Sequence, residues 1–315
     1  MVLLADLTTI KIQGITDEAQ AKTAWQLLFA DDFSDSALTV YVESLLEAKR
    51  DGNLSTDHLL VATYQGKILG TIWACEHAGR AASLFYPKTN LDDSEQGIEL
   101  SHMLMKSLKK RLLKRQIRFG QLSFTEPTTA EETFLADYGF CKKTILQYLV
   151  ASTTARPQFP QSRLQFEPFT PSQTERLKET LEKTYLGSLD CPEATQLRPL
   201  DEVVAGYQEI GDYHPGRWFF LRQNGETVGC LLLNDHPSDQ QWELVYFGLI
   251  PSARGKSLGQ EVVDFAKWQG KRGGRDRIVL AVDERNQPAL DIYRRLGFLQ
   301  WERKVIYLGL LKPSD

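Results

Sequence analysis

The apolar positions change period along the C-terminal part of the chain. Trp242-Glu-Leu-Val-Tyr-Phe-Gly-Leu-Ile250 is rich in β-branched and aromatic residues, whereas Leu258, Val262, Phe265 and Ala266 recur at helical spacing. The pattern predicts a strand, a turn and a helix. Short apolar runs at 119–124, 144–150, 277–282 and 304–310 predict further strands, and helical spacing is present at 18–28, 37–49, 172–185 and 200–210.

The same order of elements occurs twice. Val61-Ala-Thr-Tyr-Gln-Gly66-Lys-Ile-Leu-Gly70 matches Phe220-Leu-Arg-Gln-Asn-Gly225-Glu-Thr-Val-Gly229, each a strand, a glycine turn and a second strand, hence a hairpin. In each half a further strand then ends at a proline, Pro87 or Pro251. A helix, a strand, a short helix closing on Gly139-Phe140 or Gly297-Phe298, and a last apolar strand follow. The chain reads as a tandem duplication. The polar stretch 153–163, with two prolines, separates the copies and gives domains 1–152 and 164–315. Strands that lead into helices and return predict parallel pairing there, and the hairpins add antiparallel strands. Each half is therefore expected to be an α/β domain, a mixed and mostly antiparallel sheet flanked by helices.

Composition narrows the function classes. The 315 residues suit two domains of roughly 150 each, and 42% apolar with 25% charged residues is globular. A net charge of −4 gives no overall basic footprint for nucleic acid. No run approaches the ~20 apolar residues of a membrane span and the start lacks a signal-peptide pattern, so a cytoplasmic protein is expected. Cys75, Cys141, Cys191 and Cys230 form no CxxC and no histidine lies at metal-ligand spacing, which predicts incidental thiols and no metal.

The turn Pro251-Ser-Ala-Arg254-Gly255-Lys256-Ser257-Leu258-Gly259 carries the first candidate chemistry. A helix start is positive through its free N–H groups and dipole, so cations at that end, in place of Asp or Glu, point to an anionic ligand such as a phosphate. An ordinary surface loop with Ser257 as N-cap is the competing reading. Downstream, Asn286-Gln-Pro-Ala289-Leu-Asp-Ile-Tyr293-Arg-Arg-Leu-Gly297-Phe298 has the form N-x-x-A-x-x-x-Y-x-x-x-G-F. Together, in this order, the two segments resemble the acetyl-CoA site of the GNAT superfamily of N-acetyltransferases, and the tandem layout resembles its mycothiol synthase branch.

The resemblance implies acetyl-CoA as cosubstrate and a role for each matched position. Leu249 and Ile250 meet the pantetheine, and Arg254, Gly255, Lys256, Ser257, Leu258, Gly259 and Gln260 meet the pyrophosphate. Asn286 lies at the pantetheine end, and Tyr293 faces the sulfur as general acid. The strand bulge that the family carries here is expected at Gly248, since glycine in a strand often marks one. Ser257 departs from the family pattern, which has glycine there. In the first half Thr128 and Leu135 stand where Asn286 and Tyr293 stand in the second, and the turn after Pro87 is acidic. That half is expected not to bind CoA in this way.

An alkylamine with a pKa near that of lysine, about 10.4, must lose a proton before it attacks. Glu243, at the start of the strand leading to the turn, is the candidate base, with a solvated, cross-strand ion-paired carboxylate as the alternative. A backbone N–H near Leu249 would meet the oxyanion. Helices between Tyr185 and Tyr207, with Arg198, are expected to form the acceptor lid. There Asp190 or Glu193 would hold a cationic amine, although Asp and Pro also form turns without a ligand. Cys191 has no histidine nearby in sequence and is read as inert. The basic stretch 106–118 has Leu104, Leu108 and Leu112 at helical spacing and reads as the solvated face of an amphipathic helix rather than a nucleic-acid patch. The sequence thus predicts an acetyl-CoA-dependent N-acetyltransferase that transfers acetyl directly to a primary amine of a small molecule or peptide. Its alternative is a CoA-binding sensor or interaction module.

Overall fold

The computed structural model describes residues 7–91, 95–154, 159, 161–192 and 197–312, which divide into two compact units. The first takes in the described residues up to Leu122, with Tyr138–Phe140 and the segment from Gly309; the second takes in Ser123–Asp137 and Cys141–Leu308. Among the described residues no helix is long and apolar enough to cross a membrane.

In the first unit, β1 (Lys11–Gly14), β2 (Leu60–Tyr64), β3 (Lys67–His77), β4 (Ala81–Thr89) and β5 (Phe119–Phe124) lie side by side in that order. Pairing is antiparallel up to β4, and β4 runs parallel to β5. The helix α1 (Glu18–Leu28) begins where Asp17 accepts the Gln20 N–H at 2.9 Å, an N-cap that satisfies one of the orphan donors. It buries Ala21, Ala24, Trp25 and Leu28, joined by Val42 and Leu46 of α2 (Asp35–Arg50), around Trp73 of β3. In α3 (Glu95–Lys114), Leu100, Leu104, Leu108 and Leu112 are buried while Lys106, Lys110, Arg111 and Lys114 are exposed, the amphipathic arrangement that the leucine spacing predicts.

The second unit contains α4 (Thr129–Asp137), β6 (Cys141–Ser152), β7 (Gln165–Pro168), α5 (Thr174–Tyr185), α6 (Leu200–Glu209), β8 (Trp218–Gln223), β9 (Glu226–His236) and β10 (Gln241–Leu249). It continues with α7 (Leu258–Arg272), β11 (Arg277–Asp283), α8 (Gln287–Arg295) and β12 (Leu299–Leu310). Its strands run β12-β6-β11-β10-β9-β8-β7. Only β10 and β11 are parallel among these neighbours. The strand β6 precedes the linker in sequence, yet it pairs with β11 from Arg277↔Ser152 to Asp283↔Leu146 and with β12 on its other edge.

Two faces of this sheet are covered. Leu258, Val262, Phe265 and Ala266 of α7, the residues whose spacing predicts that helix, pack with Leu290 and Tyr293 of α8 on Trp242 and Leu244 of β10. On the other face Leu177 and Leu181 of α5 and Val204 of α6 pack on Trp218, Phe220, Cys230 and Leu232. Asn234, fully buried, accepts the Trp218 indole N–H at 2.9 Å and donates to the carbonyls of Tyr207 and Ile210 at 2.7 and 2.6 Å. This buried amide holds the C-terminal end of α6, and with it Tyr207, against β9.

Candidate active site

The site is built on a divergence of strands. β10 pairs with β11 only at Gln241↔Arg277, Trp242↔Ile278 and Glu243↔Val279, after which the two strands part while β11 stays with β6. At the same level β10 carries one extra residue, Val245, opposite β9. The bulge is at Val245 and not at the predicted Gly248, which pairs in register with Cys230. Gly248 serves a different need: a Cβ there would lie 2.5 Å from the Tyr246 hydroxyl and 2.8 Å from Thr184. Beyond the bulge the Ile250 N–H donates to Val228 of the neighbouring chain segment at 3.0 Å. By alternation, the main-chain groups of Phe247 and Leu249 face the opposite edge, where β11 has left.

The turn after β10 is held open by its backbone. Gly255 has φ +73°, and Ser257, at the N-cap of α7, also lies in the left-handed region at φ +60°, ψ 18°. A left-handed backbone at this position is what glycine suits, and an L-residue such as Ser257 there costs roughly 1–2 kcal/mol of backbone strain. Ser257 makes no side-chain capping bond. The N–H groups of Gly255, Lys256, Ser257 and Leu258 donate to no other described backbone group, and Lys256 is exposed beside them. The one acid in the first turn of α7, Glu261, is turned away. Its burial would raise the carboxyl, but the Arg163 N–H and guanidinium and the Ser162 hydroxyl hold it below the usual range. Gly259 is buried, and a Cβ there would sit 2.8 Å from the Ile292 Cδ1, so a larger residue would have to displace that side chain where α7 meets α8.

Arg254 is placed differently from its expected phosphate role. Its guanidinium donates to the carbonyls of Leu249, Leu186, Gly187 and Thr184 at 2.9, 2.8, 2.9 and 2.7 Å. Those groups include the C-terminal carbonyls of α5 and its following loop, where a cation meets the negative end of the dipole. Arg254 ties the turn to the end of α5 and the loop after it, and is not free for a ligand.

The α5 and α6 face holds three tyrosines which the residue patterns did not single out as a group. Tyr246 of β10 hydrogen-bonds Thr184 at 2.8 Å, stacks on Tyr207 with centroids 5.6 Å apart, and meets Tyr185 edge-on at 5.8 Å. The Tyr185 and Tyr207 hydroxyls are 3.2 Å apart. Burial pushes Tyr185 up to about 12 and pushes Tyr207 and Tyr246 well above the ordinary phenol value. Three tyrosines where phenylalanines would pack equally well were the available signal.

Glu243 alternates with the buried Trp242 and Leu244 and so faces the α5 and α6 side. Its Oε2 lies 2.9 Å from His236 Nε2, and that hydrogen bond raises the imidazole above its ordinary value. This is the cross-strand partner of the alternative reading. Tyr293, only 6% exposed on α8, packs 5.3 Å from Phe298 and makes no hydrogen bond to a described residue. Burial, and then the charge of Asp190, push its hydroxyl far above 10, so it stays protonated. Asn286 is the N-cap of α8, its Oδ1 accepting the Ala289 N–H at 3.3 Å.

The stretch between α5 and α6 is a loop in its described residues rather than helices. Glu193 lies outside the described residues, and Asp190 lies within them. Asp190 Oδ1 accepts the Asp283 N–H at 2.8 Å. Asp283 itself is fully buried at the end of β11; burial would raise its carboxyl, but Arg285 and neighbouring N–H groups hold it low. Burial likewise pushes the Cys75 thiol up to about 12 and raises Cys230, which makes both poor nucleophiles.

Comparison with known proteins agrees with this architecture. Residues 180–298 match the Acetyltransferase (GNAT) family. The mycothiol acetyltransferase of Corynebacterium efficiens is 32% identical over 139 residues, 40% of this chain and 47% of that one, so the chain matches about half of that relative's length. A GCN5-related N-acetyltransferase from Sphaerobacter thermophilus shares the fold with a TM-score of 0.62 at 15% identity, covering 98% of this chain and 97% of that one. A tandem GNAT protein from the clavulanic acid biosynthesis pathway gives 0.51 at 12% identity, over 97% and 100%. The parted strands, the left-handed turn at the start of α7 and the buried tyrosine on α8 all lie in the segment 180–298, which is similar to the GNAT acetyltransferase family.

Proposed function

We propose that the second unit is an acetyl-CoA-dependent N-acetyltransferase acting on a primary amine of a small molecule or peptide. The observation that carries this reading is the turn at 255–258, where four consecutive N–H groups without backbone partners sit beside the exposed Lys256 at a helix start. Such a cradle fits a pyrophosphate. Gly255 to Gln260 would hold it, with Arg254 acting through the turn's shape. Phe247, Leu249 and Ile250 would lie along the pantetheine in the opening between β10 and β11, and Asn286 near its end. When bound, acetyl-CoA supplies the activated acetyl group.

The chain's own residues supply the rest. Tyr293, held protonated by burial, gives a proton to the departing thiolate. The Leu249 N–H, on the edge that β11 has left, is a donor for the developing oxyanion. Two carboxylates border the acceptor face, Glu243 and Asp190. The tyrosines 185, 207 and 246 line that face and suit an acceptor with both apolar and hydroxyl-bearing surface.

The test is thiol release from acetyl-CoA with ethanolamine, glucosamine, a lysine peptide and an S-blocked cysteine amide, alongside calorimetry of acetyl-CoA alone. Amine-dependent release supports transfer. Binding without release from any amine favours the sensor reading, which the strained Ser257 motivates. The named relative gives a second acceptor reading, a mycothiol-type cysteinyl amine, and preference for the blocked cysteine amide would single it out.

A further inference from the structure

A further carboxylate, in the loop after α5, is hydrogen-bonded to the end of β11, one of the parted strands. Asp190 is fastened there from both sides. Its Oδ1 takes the Asp283 N–H at 2.8 Å, and the Cys191 N–H returns a bond to Asp283 Oδ2 at 3.0 Å, so the loop is joined twice to the end of β11. The loop's beginning is fixed by Arg254, which binds the carbonyls of Leu186 and Gly187.

Burial raises the hydroxyls of Tyr185 on α5, Tyr246 on β10 and Tyr293 on α8, and the charge of Asp190 adds to it in each. Glu243, in contrast, is hydrogen-bonded to His236, and its charge reaches Tyr148 of β6. Asp283 is already neutralised by Arg285 at 2.8 Å and does not compete for a cation.

We infer that Asp190 is the general base of the transfer, receiving the acceptor's ammonium group through Oδ2 and taking its proton. This rests on the acetyltransferase reading above. Asp190 passes no electrons: it removes one proton from R–NH3+, and the freed nitrogen lone pair forms the C–N bond with the acetyl carbon. The C–S bond then breaks, its electron pair leaves on sulfur, and Tyr293 protonates the thiolate. The second nitrogen proton restores Tyr293, and the proton on Asp190 leaves to solvent. Burial, and then the Asp283 charge, raise the Asp190 carboxyl, while the Asp283 N–H and Arg285 oppose them. A carboxylate with raised proton affinity is the better base near neutral pH.

The test compares Asp190→Asn with Glu243→Gln, using acetyl-CoA and whichever of the four amines gives the most CoA release. Asn keeps an oxygen for the Asp283 N–H. Asp190→Asn is expected to lower kcat/KM for the amine about 10²-fold at pH 7, to move the acid-side limb of its pH profile up to the amine's own pKa, and to leave the acetyl-CoA Kd within about twofold. The deficit is expected to shrink as pH rises through the pKa of the amine used, above which it is already neutral. Glu243→Gln is expected to retain the limb. Asp190→Asn that binds acetyl-CoA with the limb unmoved, or a deficit constant with pH, overturns the assignment. Absence of CoA release by the unaltered chain with every amine overturns the acetyltransferase reading itself, and this assignment with it.

Discussion

The two halves keep the same parted strands and differ in what fills the gap. β4 leaves β5 after Ser83 as β10 leaves β11 after Glu243, and β4 too carries a register shift against its hairpin partner, between Phe85 and Lys88. Each hairpin also ends in a histidine that reaches across to the next strand. His77 lies 2.9 Å from Ser83 Oγ, and His236 lies 2.9 Å from Glu243 Oε2. The first half has exchanged the carboxylate for a hydroxyl. At the following helix, α3 starts with the acid Glu95 in its first turn, whereas α7 turns its one such acid toward Arg163 and leaves Lys256 exposed. A helix that supplies its own counter-charge has less use for an anion. The backbone device is therefore shared, and the electrostatics of the turn separate the copies.

The largest effect expected from breaking this difference is at the α8 tyrosine. Tyr293→Phe should lower kcat about 10²-fold or more in the CoA-release assay with acetyl-CoA binding unchanged, because only the proton donor is lost. At the turn, Lys256→Glu imports the acidic character of the first half and should weaken acetyl-CoA about tenfold by calorimetry at low salt, less at high salt. Binding should saturate at one acetyl-CoA per chain, and a second equivalent would break the comparison. Ser257→Gly removes the left-handed strain and should raise stability by roughly 0.5–1 kcal/mol in urea unfolding.

The smallest effect is a proton. Because Glu243 raises His236, the pair's stabilisation is complete below the unfolded imidazole value of about 6.5 and is lost as pH rises through the higher folded value. Glu243→Ser, which copies the first half, should lower the His236 titration midpoint seen by NMR and flatten that loss, a change under about 1 kcal/mol. An unmoved midpoint would mean that the hydrogen bond does not form.

What was legible followed from local chemistry. The period-2 and period-3.6 runs place β10 and α7 within a residue or two, and the Asn-Gly and Gln-Gly hairpins form with φ above zero at Asn224, Gly225, Gln65 and Gly66. Long-range partners decided the rest. The bulge falls at Val245 because register against β9 sets it, and nothing in a valine announces this. Arg254 has the chemistry of a phosphate ligand but is claimed by carbonyls some seventy positions earlier in the chain. Asp190 sits in a turn-forming sequence, and only its bond to Asp283 shows where the turn delivers it.

One feature bears on how such a molecule is made. β6 emerges during synthesis well before β11 and β12, the two strands that will cover its edges. Until the last segment appears it has an unpaired strand edge on either side, the kind of surface that recruits wrong partners. A cut at the linker would strand β6 on one piece and its partners on the other. Separating the two pieces therefore deprives the sheet of the second unit of a strand that lies between two others.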